Sequence, residues 1–357
     1  MGAVQGGAAA VAAGERAVRP EFTGTASEYF RVWIVNLFFT LVTLGIYSAW
    51  AKVRKRRYLY GCTRLDGESF DYFASPKAVL RGRIVAVAIF VAYALAGELY
   101  PPSQFAFWGI GALALPWLLV KALSFNARNS AYRGLRFNFD ATPRQAARVY
   151  LGMGIVVVLT AGLALPWFVA RQKAFVASHH AFGTSGFRCE LPARSFYGIY
   201  ILAGLMALAF AVPGAALSGY LVYLQMRGGI NLPQSLGWLM WVLPFVPIYA
   251  GYAIAYAYAQ ARTANLFWSH VQGEGVRFAS TLSAWSLIKL YFGNLFAIAG
   301  TAGMLIPWAV VRTLRYRLDN FSMIVAGTPV YAGNPNLAPV GAASQELGDF
   351  FNVDVGV

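Results

Sequence analysis

"TLGIYSAWAKVRKRRY", residues 43–58, runs apolar as far as a tryptophan and then turns strongly basic. The chain holds two further versions, "TAGLALPWFVARQKAF" at 160–175 and "TAGMLIPWAVVRTLRY" at 301–316. In each, Thr-x-Gly precedes a tryptophan (Trp50, Trp167, Trp308), and an arginine follows four residues later (Arg54, Arg171, Arg312). One such boundary reads as a membrane helix meeting the cytosol. Three of them ask how the whole chain is threaded.

The solvent of this chain is mostly lipid. Hydrophobic residues make up 58% of it and charged residues 12%, against about 25% charged in a soluble domain. Residues 196–224 and 236–261 contain no Asp, Glu, Lys or Arg. The expected class is an all-α polytopic membrane protein, since a β-barrel would show short alternating segments instead. The net charge of +15 sits just outside apolar segments, where Lys and Arg anchor topology and meet anionic headgroups. It therefore points to membrane lipid as partner, anionic phospholipid on the cytoplasmic face, and away from nucleic acid.

Shifting the sequence by 141 residues superimposes 105–190 on 246–331 without a gap: Gly134 falls on Gly275, Tyr150 on Tyr291, Gly162 on Gly303 and Pro166-Trp167 on Pro307-Trp308. A shift of 117 relates Arg31, Gly45, Trp50 and Arg54 to Arg148, Gly162, Trp167 and Arg171. The expected repeat units are therefore about 21–75, 105–190 and 246–331, within one transmembrane domain (21–331) between flexible tails (1–20 and 332–357). A looser rule places Phe sixteen residues after a closing basic residue: Arg54 and Phe70, Lys121 and Phe137, Arg171 and Phe187, Arg262 and Phe278. Arg312 breaks it, being followed by Thr328.

Seven apolar segments emerge, near 30–51, 84–99, 105–123, 148–170, 196–224, 236–261 and 288–311. Seven simple crossings would put 19 Lys and Arg on one side and 10 on the other. Letting the three signature segments enter and leave from the same face makes the split 28 to 1. Their arms are about half a membrane long, so the charge rule favours four full spans (the second, third, fifth and sixth segments) plus three re-entrant Gly-broken hairpins, with both termini cytoplasmic. Gly45, Gly162 and Gly303 would mark hairpin tips or close packing, and Asn36 and Asn294 would bond unwound backbone or a neighbouring helix. Between the apolar segments, "GESFDYF" (67–73), "GLRFNFD" (134–140), "GFRCEL" (186–191) and "GVRFAS" (275–280) alternate aromatic and polar residues. They read as small cytoplasmic strands or turns, with "EFTG" (21–24) as a candidate partner.

Together, "TLGIYSAWAKVRKRRY", "LDGESFDYF", "LRGRI", "YRGLRFNFD", "RVYLG" and "IPWAVVRTLRYR" resemble the YjgN family of bacterial inner-membrane proteins. The likeness runs from about 21 to 331, and it implies a polytopic inner-membrane protein with no established activity. The first signature departs from the others, with Ser48-Ala49 where they carry Leu165-Pro166 and Ile306-Pro307.

Catalytic chemistry is scarce. There is no HExxH, GxSxG, P-loop or metal-spaced Cys/His set, so no cofactor or metal is expected and an enzyme ranks last. His179, His180 and His270 read as polar interfacial residues, and Asp66, Glu68 and Asp71 as balance for the basic run beside them. Each Trp–Arg pair (Trp50/Arg54, Trp167/Arg171, Trp308/Arg312) shares a helix face. The ordinary reading is interface anchoring; the sharper one is a lipid phosphate held between indole and guanidinium. A transporter- or channel-like protein for a small solute or amphiphile is the leading functional class. A non-catalytic anionic-lipid-binding or scaffold protein is the alternative.

Overall fold

The computed structural model describes residues 15–228 and 237–327. The mostly helical chain is a succession of five helical pairs, each of which runs into strand. Helices α1 (Ala26–Val42) and α2 (Ser48–Gly61) lead to β3 (Thr63–Leu65) and β4 (Glu68–Tyr72). Helices α3 (Pro76–Leu99) and α4 (Ser103–Asn129) lead to β5 (Ser130–Tyr132) and β6 (Leu135–Phe139). The third pair begins as α5 (Pro143–Ala147), a π-helical turn at Arg148–Gly152 and α6 (Met153–Leu159). It returns as α7 (Leu165–Ser178), followed by β7 (His180–Phe182), β8 (Ser185–Gly186) and β9 (Arg188–Cys189). Next come α8 (Ala193–Met226), α9 (Trp238–Val242) and α10 (Phe245–His270), with β10 (Val271–Gly273) and β11 (Val276–Ser280). Last are α11 (Ala284–Gly300), α12 (Ile306–Asp319) and β12 (Phe321–Ala326). Two strands precede α1: β1 (Glu15–Val18) and β2 (Glu21–Phe22).

Local chemistry sets the helix starts. Thr25 and Glu28 form a capping box at α1, as Thr142 and Gln145 do at α5, satisfying backbone N–H groups that have no partner within the helix. Proline opens α3, and Pro166 and Pro307 lie in the first turns of α7 and α12, where the missing N–H costs nothing.

Among the described residues three helices are long and apolar enough to cross a membrane: α3, α4 and α8. Helix α10 is as long, but its tyrosines, Gln260 and Arg262 hold its hydropathy lower. Apolar side chains that a soluble fold would hide face outward along the span helices, among them Phe90, Leu99, Phe105 and Leu113. This is a membrane protein.

The strands require a correction, because the fold is not all-α. Among the described residues they build two antiparallel sheets, one in the order β1-β12-β11-β10-β9 and one running β2 through β8. The four aromatic–polar stretches do lie on strands: three pair with the short strand that precedes each, while the stretch at 186–191 pairs with β7 at Gly186 and with β10 at Arg188–Cys189, and none pairs with 21–24. Glu21–Phe22 pairs with β3. Glu15–Val18, expected in a flexible tail, pairs with β12 from Glu15↔Ala326 to Val18↔Met323. Only Phe187 separates β8 from β9, and only Arg19-Pro20 separates β1 from β2. Val18, Leu65, Tyr132 and Phe182 share one apolar cluster with Met323 and Val325. The two sheets thus face each other over a common core and form a closed collar.

That closure accounts for the irregular arginine. A strand begins nine residues after each of Arg54, Lys121, Arg171, Arg262 and Arg312. In the first four the partner strand follows: Phe70, Phe137 and Phe278 lie on it, and Phe187 directly follows it, at the break between β8 and β9. After Arg312 the partner is β1, from the far end of the described chain.

The helices close in the same order. Among the strand-leading helices, Val53 of α2 clusters with Phe125 of α4, Leu123 of α4 with Val176 of α7, and Ala177 of α7 with Phe267 of α10. Ala261 of α10 then clusters with Tyr316, and Leu318 of α12 with Leu59 of α2.

Candidate functional site

The three Thr-x-Gly breaks share one geometry. Leu44, Ala161 and Ala302 have φ of 48°, 49° and 48°, and the glycines that follow have 92°, 88° and 90°. The glycine N–H returns to the carbonyl five residues back, Thr40, Val157 or Ile298, at 2.7–2.8 Å. These bonds make a Schellman ending. Each threonine serves both helices. Its hydroxyl donates to the carbonyl four residues earlier (Phe39, Val156, Ala297) and accepts from the N–H four residues later (Tyr47, Ala164, Leu305). A Cβ added to Gly45 or Gly162 would meet no atom within 4 Å, so these glycines serve backbone conformation, not close packing. The tips are apolar and bare, with Leu44 95% and Leu163 77% exposed.

Asn36 and Asn294 tie the arms of the first and third hairpins together. Their Nδ2 atoms face the carbonyls of Ala51 and Ala309, both at 3.5 Å. Asn294 also donates to Thr313 Oγ1 at 2.9 Å and accepts from Arg312 at 3.3 Å, while the buried Oδ1 of Asn36 has no partner.

The three Trp–Arg pairs diverge. The Arg312 guanidinium lies 4.9 Å from the centroid of the Trp308 ring. Arg171 is exposed beside a half-buried Trp167. Arg54 is also exposed, and with Trp50 it lines a groove of about 300 Å³ together with Tyr47, Val53, Arg57 and Pro76. Tyr47 and Trp50 stack at 6.2 Å and 11° to make its aromatic wall. Arg57 is fixed there by bonds to the carbonyls of Tyr72 and Ala74. An aromatic wall with one fixed and one free guanidinium suits an anionic headgroup carrying an apolar tail. The Trp50/Arg54 pair and the basic run at 52–57 pointed to this groove from the sequence; Tyr47 and Pro76 carried no signal of their own.

A second groove, of about 350 Å³, lies at the collar's edge among Arg16, Arg19, Glu21, Arg64 and Asp66. Desolvation acts against the Asp66 carboxylate, yet hydrogen bonds from Arg133 and Arg16 prevail and hold it below the usual range. The histidines all cap helix ends: the Nδ1 atoms of His179, His180 and His270 lie 2.7–2.8 Å from the carbonyls of Phe175, Val176 and Leu266. Burial pushes the His180 pKa down. Among the described residues no three His, Cys, Asp or Glu gather as a metal site would need.

Residues 17–350 match the family described as "Bacterial protein of unknown function (DUF898)". The chain belongs to this family. Similar curated proteins are the "Inner membrane protein YjgN" of Salmonella typhimurium, 33% identical over 129 residues, and that of Escherichia coli O157:H7, 28% identical over 142 residues. Those stretches cover 35% and 40% of this chain but only 32% and 36% of the relatives. The chain therefore spans about a third of the length of the YjgN proteins it matches. No solved structure matches.

Proposed function

We propose that this DUF898 protein resides in the bacterial inner membrane and binds an anionic amphiphile through the groove at its first hairpin. The supporting observation is the joining of Tyr47, Trp50, Arg54 and Arg57 on one returning arm. In this reading α3, α4, α8 and α10 are four spans, and three copies of one ancestral hairpin re-enter from the cytoplasmic face. The exposed apolar tips and basic exits support that arrangement, since a broken helix in lipid needs its backbone satisfied internally, as the threonines do here. The strand collar and both termini then lie in the cytosol. Native mass spectrometry from nanodiscs of phosphatidylethanolamine and phosphatidylglycerol tests the binding. The native protein should retain phosphatidylglycerol, and Arg54→Gln and Trp50→Ala should release it. Equal retention by all three proteins would sink the proposal.

A transporter- or channel-like role is the second reading, favoured by the three broken helices, because such breaks line substrate sites in many transporters. It expects solute flux in liposomes that Gly162→Leu abolishes while the protein stays folded. Flux unchanged in that variant would count against it.

A further inference from the structure

The strand-leading helices meet one another in a fixed register. The residue two places after one closing basic residue meets the residue five places after the next: Arg56 bonds Asn126 at 2.6 Å, Leu123 clusters with Val176, Lys173 lies over Phe267 at 5.4 Å, and Leu314 packs with Leu59. The same register sets Arg317 on this layer opposite Ala264. The layer's ten positions therefore hold three cations (Arg56, Lys173, Arg317) and no acid.

Arg317 makes one hydrogen bond, from Nη2 to the Tyr291 hydroxyl at 3.3 Å, and its Nε is buried without an acceptor. Burial first, and then the nearby Arg317 guanidinium, push the Lys173 ammonium below the usual lysine range. The neighbouring Cys189 cannot balance them, because burial raises its pKa to about 11 and keeps it a neutral thiol. Among the described residues neither Lys173 nor Arg317 has a carboxylate partner. Two half-buried cations on one layer, near enough to repel and with no counter-charge among the described residues, are costly unless an anion joins them.

We infer that this inner layer holds a phosphate-class oxyanion between Lys173 and Arg317, a site separate from the Trp50 groove. The guanidinium offers Nε and Nη donors along one edge, the geometry that two oxygens of such an anion accept, and the ammonium supplies a second charge. The oxyanion comes either from free phosphate or from a phospholipid headgroup, and the chemistry of recognition is the same.

Thermal melting of the delipidated protein, titrated with inorganic phosphate and separately reconstituted with phosphatidylglycerol, tests the site. The native protein should melt higher with at least one probe. A response to phosphate identifies the free ion as sufficient, and a response to phosphatidylglycerol alone identifies the lipid. Lys173→Met should melt above the native protein in phosphate-free buffer, because one of two repelling charges is gone, and it should bind the active probe about tenfold more weakly. Arg317→Gln should weaken binding likewise. Lys173→Arg keeps the charge and should keep the response, as should Arg194→Gln, an exposed control. The site is overturned if the native protein responds to neither probe, or if Lys173→Met and Arg317→Gln respond as the native protein does. In an Arg54→Gln background, where the groove no longer retains lipid, Lys173→Met should still lower the response, which separates this outcome from that of the groove.

Discussion

The first and third hairpins carry the same Trp–Arg pair and put it to opposite uses. Arg312 turns inward, over Trp308 and onto Asn294. Arg54 stays outside, and the Asn36 oxygen that it could have reached has no partner. The difference traces to one position on the opposing arm. Gly293 lies against Arg312, where an added Cβ would sit 3.1 Å from Nη1. Across the combined shifts of 117 and 141 residues its counterpart is Val35, whose branched side chain would crowd a guanidinium folded in there. The second hairpin has space at Gly152 but Met153 in place of the asparagine, and Arg171 is exposed. An inward arginine thus needs both room and an acceptor. Where either is missing, the charge is left free for a ligand.

The strongest break of this comparison is Asn294→Ala. It removes the bonds to Thr313 and Arg312 and should cost about 2 kcal/mol; Asn36→Ala, losing one long bond, should cost well under half of that in the same chemical-denaturation series. Next comes Gly303→Ala, which forces a side chain into φ of 90°. A loss of about 1–2 kcal/mol is expected, repeated at Gly45 and Gly162; an unchanged midpoint at all three would remove the argument for the breaks.

The reciprocal pair of variants sharpens the comparison further. Val35→Gly should let Arg54 fold onto Asn36 and lower phosphatidylglycerol retention severalfold, while Gly293→Val should expel Arg312 and raise it. Native mass spectrometry reads both, and movement in the same direction would refute the steric account.

The smallest effect concerns pH. His180 is buried with its pKa lowered, first by desolvation, so the folded state disfavours its proton. The stability tied to neutral His180 is complete above the unfolded value of about 6.5 and is lost as pH falls below that value toward the folded one. Melting temperature should drop between pH 7 and 5, and His180→Gln should flatten that slope.

Much of this architecture was legible because lipid and backbone chemistry leave local marks. Apolar runs, basic exits and Thr-x-Gly breaks located the hairpins, and alternating aromatics located β4, β6 and β11. Collar closure was not legible: Glu15–Val18 is too short and polar to read as strand, and its partner lies some three hundred residues away. The groove was hidden for another reason. Whether an arginine faces in or out depends on Val35 or Gly293 across the hairpin, a contact with no sequence pattern of its own. The collar's length likewise escaped a reading built on apolarity alone.

The pairing of β1 with β12 also sets the order of events during synthesis. Of the described strands, β1 leaves the ribosome first and its partner β12 last. At 5–20 residues per second the intervening chain takes roughly 15–60 s to appear. Throughout that interval β1 offers an unpaired edge to anything nearby, a hazard that charged residues such as Glu15 and Arg16 blunt. The collar therefore cannot close until β12 has been made, a latch that shuts only after all five helical pairs have left the ribosome.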